Sequence, residues 1–223
     1  MNKERLLGLD DNSVVYDDHF KQFLHPDVIV PLQELSRVAA EAGFLLALAS
    51  GYRNFSRQLL IWNQKVSGAR AVYDSEGNIV NMTILSDDEK LWAILRWSAL
   101  PGASRHHWGT DVDIYDRSKI DANYQLQLTV AETVEPRPFA EFHLWLTEKL
   151  AEKNCPFYRP YAVDKGGVAP EPWHLSYTPV ANQMSAQFSL DLLVEQIQQT
   201  DILLKESILR NIEEIYQRFI KID

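Results

Sequence analysis

A single cysteine among 223 residues has nothing to pair with. Cys155 therefore excludes an intramolecular disulfide framework and any cysteine-rich zinc knuckle, and it reads as a small apolar residue. Basic residues are also in deficit: 22 Lys and Arg stand against 31 Asp and Glu, a formal net charge of -9. Without a basic cluster, nucleic acid and anionic membrane surfaces are poor partners. No apolar run reaches the length of a membrane-spanning helix, and the first residues never develop the apolar stretch of a signal peptide. The expected location is the cytoplasm, with no membrane association. Internal repeats and low-complexity tracts are lacking too, and nothing in the sequence fixes an oligomeric state. What remains is ordinary globular composition, 46% hydrophobic and 24% charged, enough for one sizeable domain with an appendage.

The apolar pattern predicts an α+β chain. Leu32, Leu35, Val38, Ala39 and Ala42 fall on one helical face, and Gly43 stops that helix. Phe44 to Ala49 suits a buried strand, and Asn54 or Ser56 can cap a following helix through Trp62 and Val66. Residues 67–85 form a long excursion with a small hairpin expected near Gly77. Ser86 and Glu89 then make a capping-box pattern for a helix to about Leu100. From Thr110 to Tyr115 the sequence alternates, with Asp111, Asp113 and Tyr115 on one face and Val112 and Ile114 on the other. A helix over 138–153 and short strands over 156–163 and 173–177 complete the main unit. Beyond Ser189, a stripe of Ile208, Ile212, Ile215, Phe219 and Ile222, widened by Leu209, Tyr216 and Ile220, predicts helices that pack on the domain or form a dimer contact.

The chemistry is concentrated in Ser104-Arg-His-His-Trp-Gly-Thr-Asp-Val-Asp113 and in Glu171-Pro-Trp-His174. Two histidines, an aspartate and a spare glutamate are the parts of a hydrolytic zinc site: three protein ligands, an open position, and a carboxylate to accept a proton. Gly109 lets the chain turn between His106 and Asp113, so a loop histidine and a strand aspartate can converge. Pro172 argues against Glu171 and His174 sharing a helical turn. His174 belongs instead on the strand, with Glu171 in the loop beside the metal, where a general base is needed. Arg53 suits a substrate carboxylate or a developing oxyanion, and Gln58 and Ser104 are further hydrogen-bonding candidates. Taken singly, each of these residues has a commoner structural role. His107, His143, His19 and His25 are expected to be structural.

In combination the segments are similar to a known family. Ser104-x-His106-x-x-Gly109-x-Asp111-x-Asp113 resembles the Ser-x-His-x-x-Gly-x-Ala-x-Asp signature of the zinc D-alanyl-D-alanine carboxypeptidases, the LAS metallopeptidases, in their VanY-like branch. Glu171-Pro-Trp-His174 resembles their Glu-x-x-His element, and Ser50-Gly-Tyr-Arg53 with Gln58 their Ser-Gly-Tyr-Arg…Gln segment. The resemblance spans roughly residues 30–180. It implies a hedgehog/D-Ala-D-Ala peptidase-like fold, a small mainly antiparallel sheet with surrounding helices. It further implies Zn2+ held by His106, Asp113 and His174, Glu171 as catalytic base, and Arg53, Ser104 and Gln58 at the substrate. Asp111 replaces the family's alanine, with three roles open: orienting a ligand histidine, bonding backbone, or shifting substrate preference. The expected division is a metallopeptidase domain over 1–180 and a helical extension over 181–223. The expected activity is removal of a C-terminal D-alanine from a peptidoglycan-derived peptide, D,D- or L,D-specific. A peptidoglycan endopeptidase and a non-catalytic zinc-binding module are the alternatives.

Overall fold

The computed structural model describes residues 2–221. Ile222, the end of the expected C-terminal stripe, lies outside them. A short helix, α1 (Lys3–Leu6), leads into an antiparallel hairpin of β1 (Val15–Asp17) and β2 (Gln22–Leu24). The sequence pattern alone suggests only a polar leading segment here. Helix α2 (Pro26–Glu41) likewise starts earlier than its apolar stripe predicts, because Pro26 takes a first-turn position and the His25 ring accepts a hydrogen bond from the Asp27 amide at 3.2 Å. Pro31 is carried inside that helix.

Strand β3 (Leu46–Ser50) and helix α3 (Phe55–Val66) follow, with Asn54 rather than Ser56 as the cap. In the 67–85 excursion the expected hairpin is reduced to one bridge between Tyr73 and Ile79. Helix α4 (Asp87–Leu95) carries the Ser86/Glu89 capping box but ends five residues short of Leu100. Next come β4 (Asp111–Asp116), α5 (Ala140–Leu150), β5 (Phe157–Tyr158, far shorter than expected) and β6 (His174–Tyr177). The helical tail begins earlier than Ser189: α6 (Thr178–Gln187), α7 (Leu190–Gln199), α8 (Lys205–Arg210) and α9 (Ile212–Ile215), running into a π-helical turn over Tyr216–Ile220.

The main sheet has the order β3-β4-β6-β5 and is antiparallel throughout. Alternation gives its central strands two unlike faces. Val112, Ile114 and Leu175 are fully buried among Leu24, Leu32, Phe142 and Leu146, joining the sheet to α2 and α5. Each such side chain contributes about 1.5–3 kcal/mol. The opposite face carries Asp111, Asp113, His174 and Ser176, also buried. Register completes the placement: Asp113 lies opposite His174 on one side and Ser50 on the other, with an irregularity between Leu48 and Ser50.

A second core joins α3 and α4 to the tail through Trp62, Ile94, Leu95, Leu193, Ile208, Ile215 and Phe219. The Trp62 indole donates to the Leu203 carbonyl at 3.1 Å. The tail also grips the loop that precedes Glu171. Arg218 donates to the Gly166 carbonyl at 2.7 Å, and Arg96 pairs with Asp164 at 2.7 Å. Gly167 is pressed so closely that a Cβ there would lie 1.9 Å from the Arg218 carbonyl oxygen. Among the described residues, no helix is long and apolar enough to cross a membrane.

Candidate active site

His106 sits in a single 3-10 turn, Arg105–Trp108, between the loop after α4 and strand β4. Gly109 ends that turn at φ +67°, and a Cβ there would meet Val14 Cγ1 at 2.7 Å and the His25 amide nitrogen at 2.8 Å. Only glycine satisfies both the left-handed backbone and the close approach of the β1–β2 hairpin. The chain thereby reverses tightly enough to set His106 over Asp113. Glu171 lies in the loop before β6, its amide bonded to the Tyr161 carbonyl at 2.9 Å.

The three expected ligands converge. His106, Asp113 and His174 each offer an atom within 4.8 Å of the others, and all three are buried. The hydrogen-bond network assigns both histidine tautomers. His106 Nδ1 donates to the Gly51 carbonyl at 2.9 Å, which leaves Nε2 unprotonated toward Asp113 Oδ2 at 3.3 Å. His174 does the reverse: Nε2 donates to Asp111 Oδ1 at 3.0 Å, and Nδ1 faces Asp113 Oδ1 at 3.2 Å and Glu171 Oε2 at 3.4 Å. Each imidazole thus has one nitrogen held by the protein and the other aimed into a common space.

Electrostatics in that space favour a cation. Asp113 Oδ1 is buried without a hydrogen-bond partner among the described residues. Burial alone would raise the Asp113 carboxyl, but His106 and His174 hold it well below the ordinary carboxylate range. Burial would likewise lower His174, yet the carboxylates of Asp111, Asp113 and Glu171 beside it hold it well above an ordinary histidine. Carboxylates crowd these imidazoles, and a buried positive charge is required among them. A divalent ion meets that requirement, and two imidazoles with one carboxylate are a donor set that suits zinc.

Asp111 resolves among its three open roles in a definite way. Besides His174 it accepts from Arg105 Nε at 2.7 Å, from the Thr110 hydroxyl at 2.7 Å and from the Ser176 hydroxyl at 3.2 Å. Burial pushes its carboxyl up, but Arg105 and then His174 bring it down to about 2. Arg105 also donates to the Ser176 hydroxyl at 2.7 Å and the Tyr158 hydroxyl at 3.0 Å, and its guanidinium lies 4.8 Å from the centre of the Trp108 ring. The geometry is that of a carboxylate holding one nitrogen of the His174 ring, itself anchored by a buried arginine.

Arg53 is half-buried and extends beside Gln58, donating to Gln58 Oε1 at 2.8 Å and to the Ser50 hydroxyl at 3.1 Å. Burial lowers its pKa, and the fields of Asp113 and Glu171 oppose that shift. Gln58 is tied down in turn by donating to the Ala99 carbonyl at 2.7 Å. Ser104 is buried just before the 3-10 turn, and its hydroxyl makes no hydrogen bond among the described residues.

His107 points away from the metal space, as expected. Gly102 N–H donates to its Nε2 at 3.1 Å, so Nδ1 carries the proton and donates to the Arg53 carbonyl at 2.6 Å. Burial drives its pKa down to about 3, and the neutral ring fixes the Arg53 backbone. The sequence pattern did not reveal Arg105, or Tyr161, whose ring centre lies 5.1 Å from that of His174. An aspartate in place of alanine on a buried strand face was the available sign that a buried cation must lie nearby.

Residues 21–180 match the family described as VanY, D-alanyl-D-alanine carboxypeptidase. The chain belongs to that family. Its model describes a carboxypeptidase, and this VanY-family chain is an enzyme of that peptidase family. Two Haemophilus influenzae proteins described as uncharacterised are relatives. One is 35% identical over 123 residues, covering 54% of this chain and 92% of the relative. The other is 46% identical over 78 residues, covering 35% of this chain and 53% of the relative. Among solved structures, VanYB in complex with D-alanine-D-alanine superposes with a TM-score of 0.51 at 24% identity, covering 78% of this chain and 82% of that one. The LdcB LD-carboxypeptidase gives 0.53 at 21% identity, covering 90% and 78%. A D,D-pentapeptidase VanY variant in complex with Zn(II) gives 0.51 at 24%, covering 87% and 88%. At these identities the likeness establishes the shared D-Ala-D-Ala peptidase fold.

Proposed function

We propose that this VanY-family chain removes a C-terminal D-alanine from a peptidoglycan stem peptide, with zinc held by His106 Nε2, Asp113 and His174 Nδ1. The observation that carries the reading is the convergence of those atoms with Glu171 Oε2 standing 3.4 Å from His174 Nδ1. Zinc, when bound, supplies Lewis-acid polarisation of the scissile carbonyl and acidifies a water. Glu171, in the loop rather than in the ligand set, accepts the proton of the attacking water and passes it to the leaving amine nitrogen. Arg53, prepositioned by Gln58 and Ser50, binds the substrate's terminal carboxylate or stabilises the developing oxyanion. Ser104 supplies a further hydrogen bond to the peptide. Asp111 keeps His174 in the tautomer that presents Nδ1. In this reading residues 1–180 form the catalytic unit and 181–223 a helical extension.

Mass spectrometry of products from soluble tetrapeptide and pentapeptide substrates, with zinc-loaded protein, tests this directly. Loss of one alanine is expected. Reaction of the pentapeptide marks D,D-specificity, and reaction of the tetrapeptide marks L,D-specificity. Products cut from inside a cross-linked dimer would replace the carboxypeptidase with an endopeptidase, and inertness toward all three would leave a zinc-binding module.

A further inference from the structure

Lys65 takes no part in the metal site or its supports. It follows Gln58 by seven residues on α3 and therefore shares its face, together with Phe55, Ile61 and Trp62. A lysine on that face is out of place: it is only 9% exposed. Its ammonium makes no hydrogen bond or ion pair among the described residues. Helical side chains lean toward the N-terminus, so the Lys65 stem runs back along α3 in the direction of Gln58 and Arg53. Burial, then the nearby charges of Arg70 and Arg53, bring its pKa down to about 8, with Glu171 pulling the other way. Arg53 in turn feels Arg70 and Arg57. One wall of the site therefore holds more positive charge than its protein partners balance.

Two separated cations on one wall, Lys65 buried and Arg53 half-buried, ask for two anionic groups. Arg53 can take the terminal carboxylate. We propose that Lys65 binds a second carboxylate of the substrate, so that the preferred peptide carries a free branch or side-chain carboxylate one or two residues before the scissile bond. This rests on the hydrolytic reading for the orientation of the peptide. It adds the class of substrate: a stem peptide that is a dianion near its C-terminal end.

Binding separates this inference from that reading. The probes are the tetrapeptide L-Ala-γ-D-Glu-diaminopimelate-D-Ala and its two forms amidated at the glutamate or at the diaminopimelate carboxylate. Their affinities are measured by calorimetry on zinc-loaded Glu171→Gln protein, which holds substrate without cutting it. Amidation at one of the two positions is expected to weaken binding by about ten- to a hundredfold, the span of a charge-assisted hydrogen bond. Adding Lys65→Met should collapse that ratio toward one, and Lys65→Arg should restore most of it. Lys65→Met should also raise the melting temperature, because it removes an unpartnered charge from a largely buried side chain; a structural lysine would show a fall. Equal binding of all three peptides, no binding of any, or a ratio that survives Lys65→Met would overturn the proposal. If the ratio behaves as expected but wild-type protein releases no alanine, the subsite stands and the hydrolytic reading fails. Equal alanine release from free and amidated peptides would instead remove the subsite and leave the hydrolytic reading standing.

Discussion

Replacing Asp111 by alanine restores the residue usual at that position of the family signature, and in this chain it should be severe. The Asp111 carboxylate is fully buried, as is nearly all of the Arg105 side chain that it neutralises. Removing it leaves a buried guanidinium with only the Ser176 and Tyr158 hydroxyls. Breaking a buried pair in this way costs about 3–5 kcal/mol, against a total domain stability of about 5–15 kcal/mol. At about 2–4 °C per kcal/mol, the chelator-stripped variant should melt roughly 6–20 °C below wild type. His174 also loses its acceptor, which should weaken zinc about 10- to 100-fold. The double variant Arg105→Met/Asp111→Ala separates the two effects. Removing both charges should return most of the stability but none of the zinc affinity, because His174 Nε2 still has no partner. Denaturant titration of stripped protein and competition with a chromophoric chelator read the two quantities independently. Equal destabilisation of the single and double variants, or recovery of zinc affinity in the double, would refute the assigned chain from Arg105 through Asp111 to His174.

Glu171→Gln should bind zinc within a few-fold of wild type while kcat falls about 10²- to 10⁴-fold; near-normal turnover would remove Glu171 as the base. His143 is buried, its Nδ1 lies 3.3 Å from Arg159 Nη2, and burial followed by the Arg159 charge lowers its pKa from 6.5 to about 3. As pH falls below 6.5 the unfolded chain takes up this proton before the folded one, so the stability present above that pH is lost toward pH 3, at up to about 1.4 kcal/mol per unit. Stripped wild-type protein should therefore lose stability more steeply between pH 7 and 5 than His143→Gln, and parallel curves would contradict the assignment. Gly109→Ala should destabilise by more than about 1–2 kcal/mol, the strain of a left-handed alanine, because the new Cβ also collides with Val14 and His25; an unchanged melting temperature would refute this.

The convergence of His106, Asp113 and His174 was readable in the sequence because its logic is local. Alternation on β4 put Asp111 and Asp113 on one face, Gly109 marked the reversal, and Pro172 pushed His174 onto a strand. Roles settled by distant partners were not readable. Arg105 meets Asp111 after six residues but Ser176 only after 71, and Lys65 stands out only once burial is known. In the fold, β1 and β2 have three residues each, too few for alternation to register, and β5 keeps two of an expected eight. Helix α2 escaped correct placement because its cap is a histidine, which propensity does not favour, and because Pro31 reads as a boundary while sitting inside.

The grip of the tail on Gly166 and Gly167 makes the C-terminal helices a matter of timing as well as packing. Arg218 follows Gly166 by 52 residues, and until it arrives the loop is held from outside by Arg96, which pairs with Asp164 and donates to the Gly167 carbonyl. Every side chain that would touch the metal or the peptide is already present by His174. A nascent or proteolytically shortened chain would thus carry every residue of the cluster and still lack the tail's contacts to the loop that leads to Glu171. Competence would then depend on the tail having been made, and clipping it would loosen that loop without touching a single ligand.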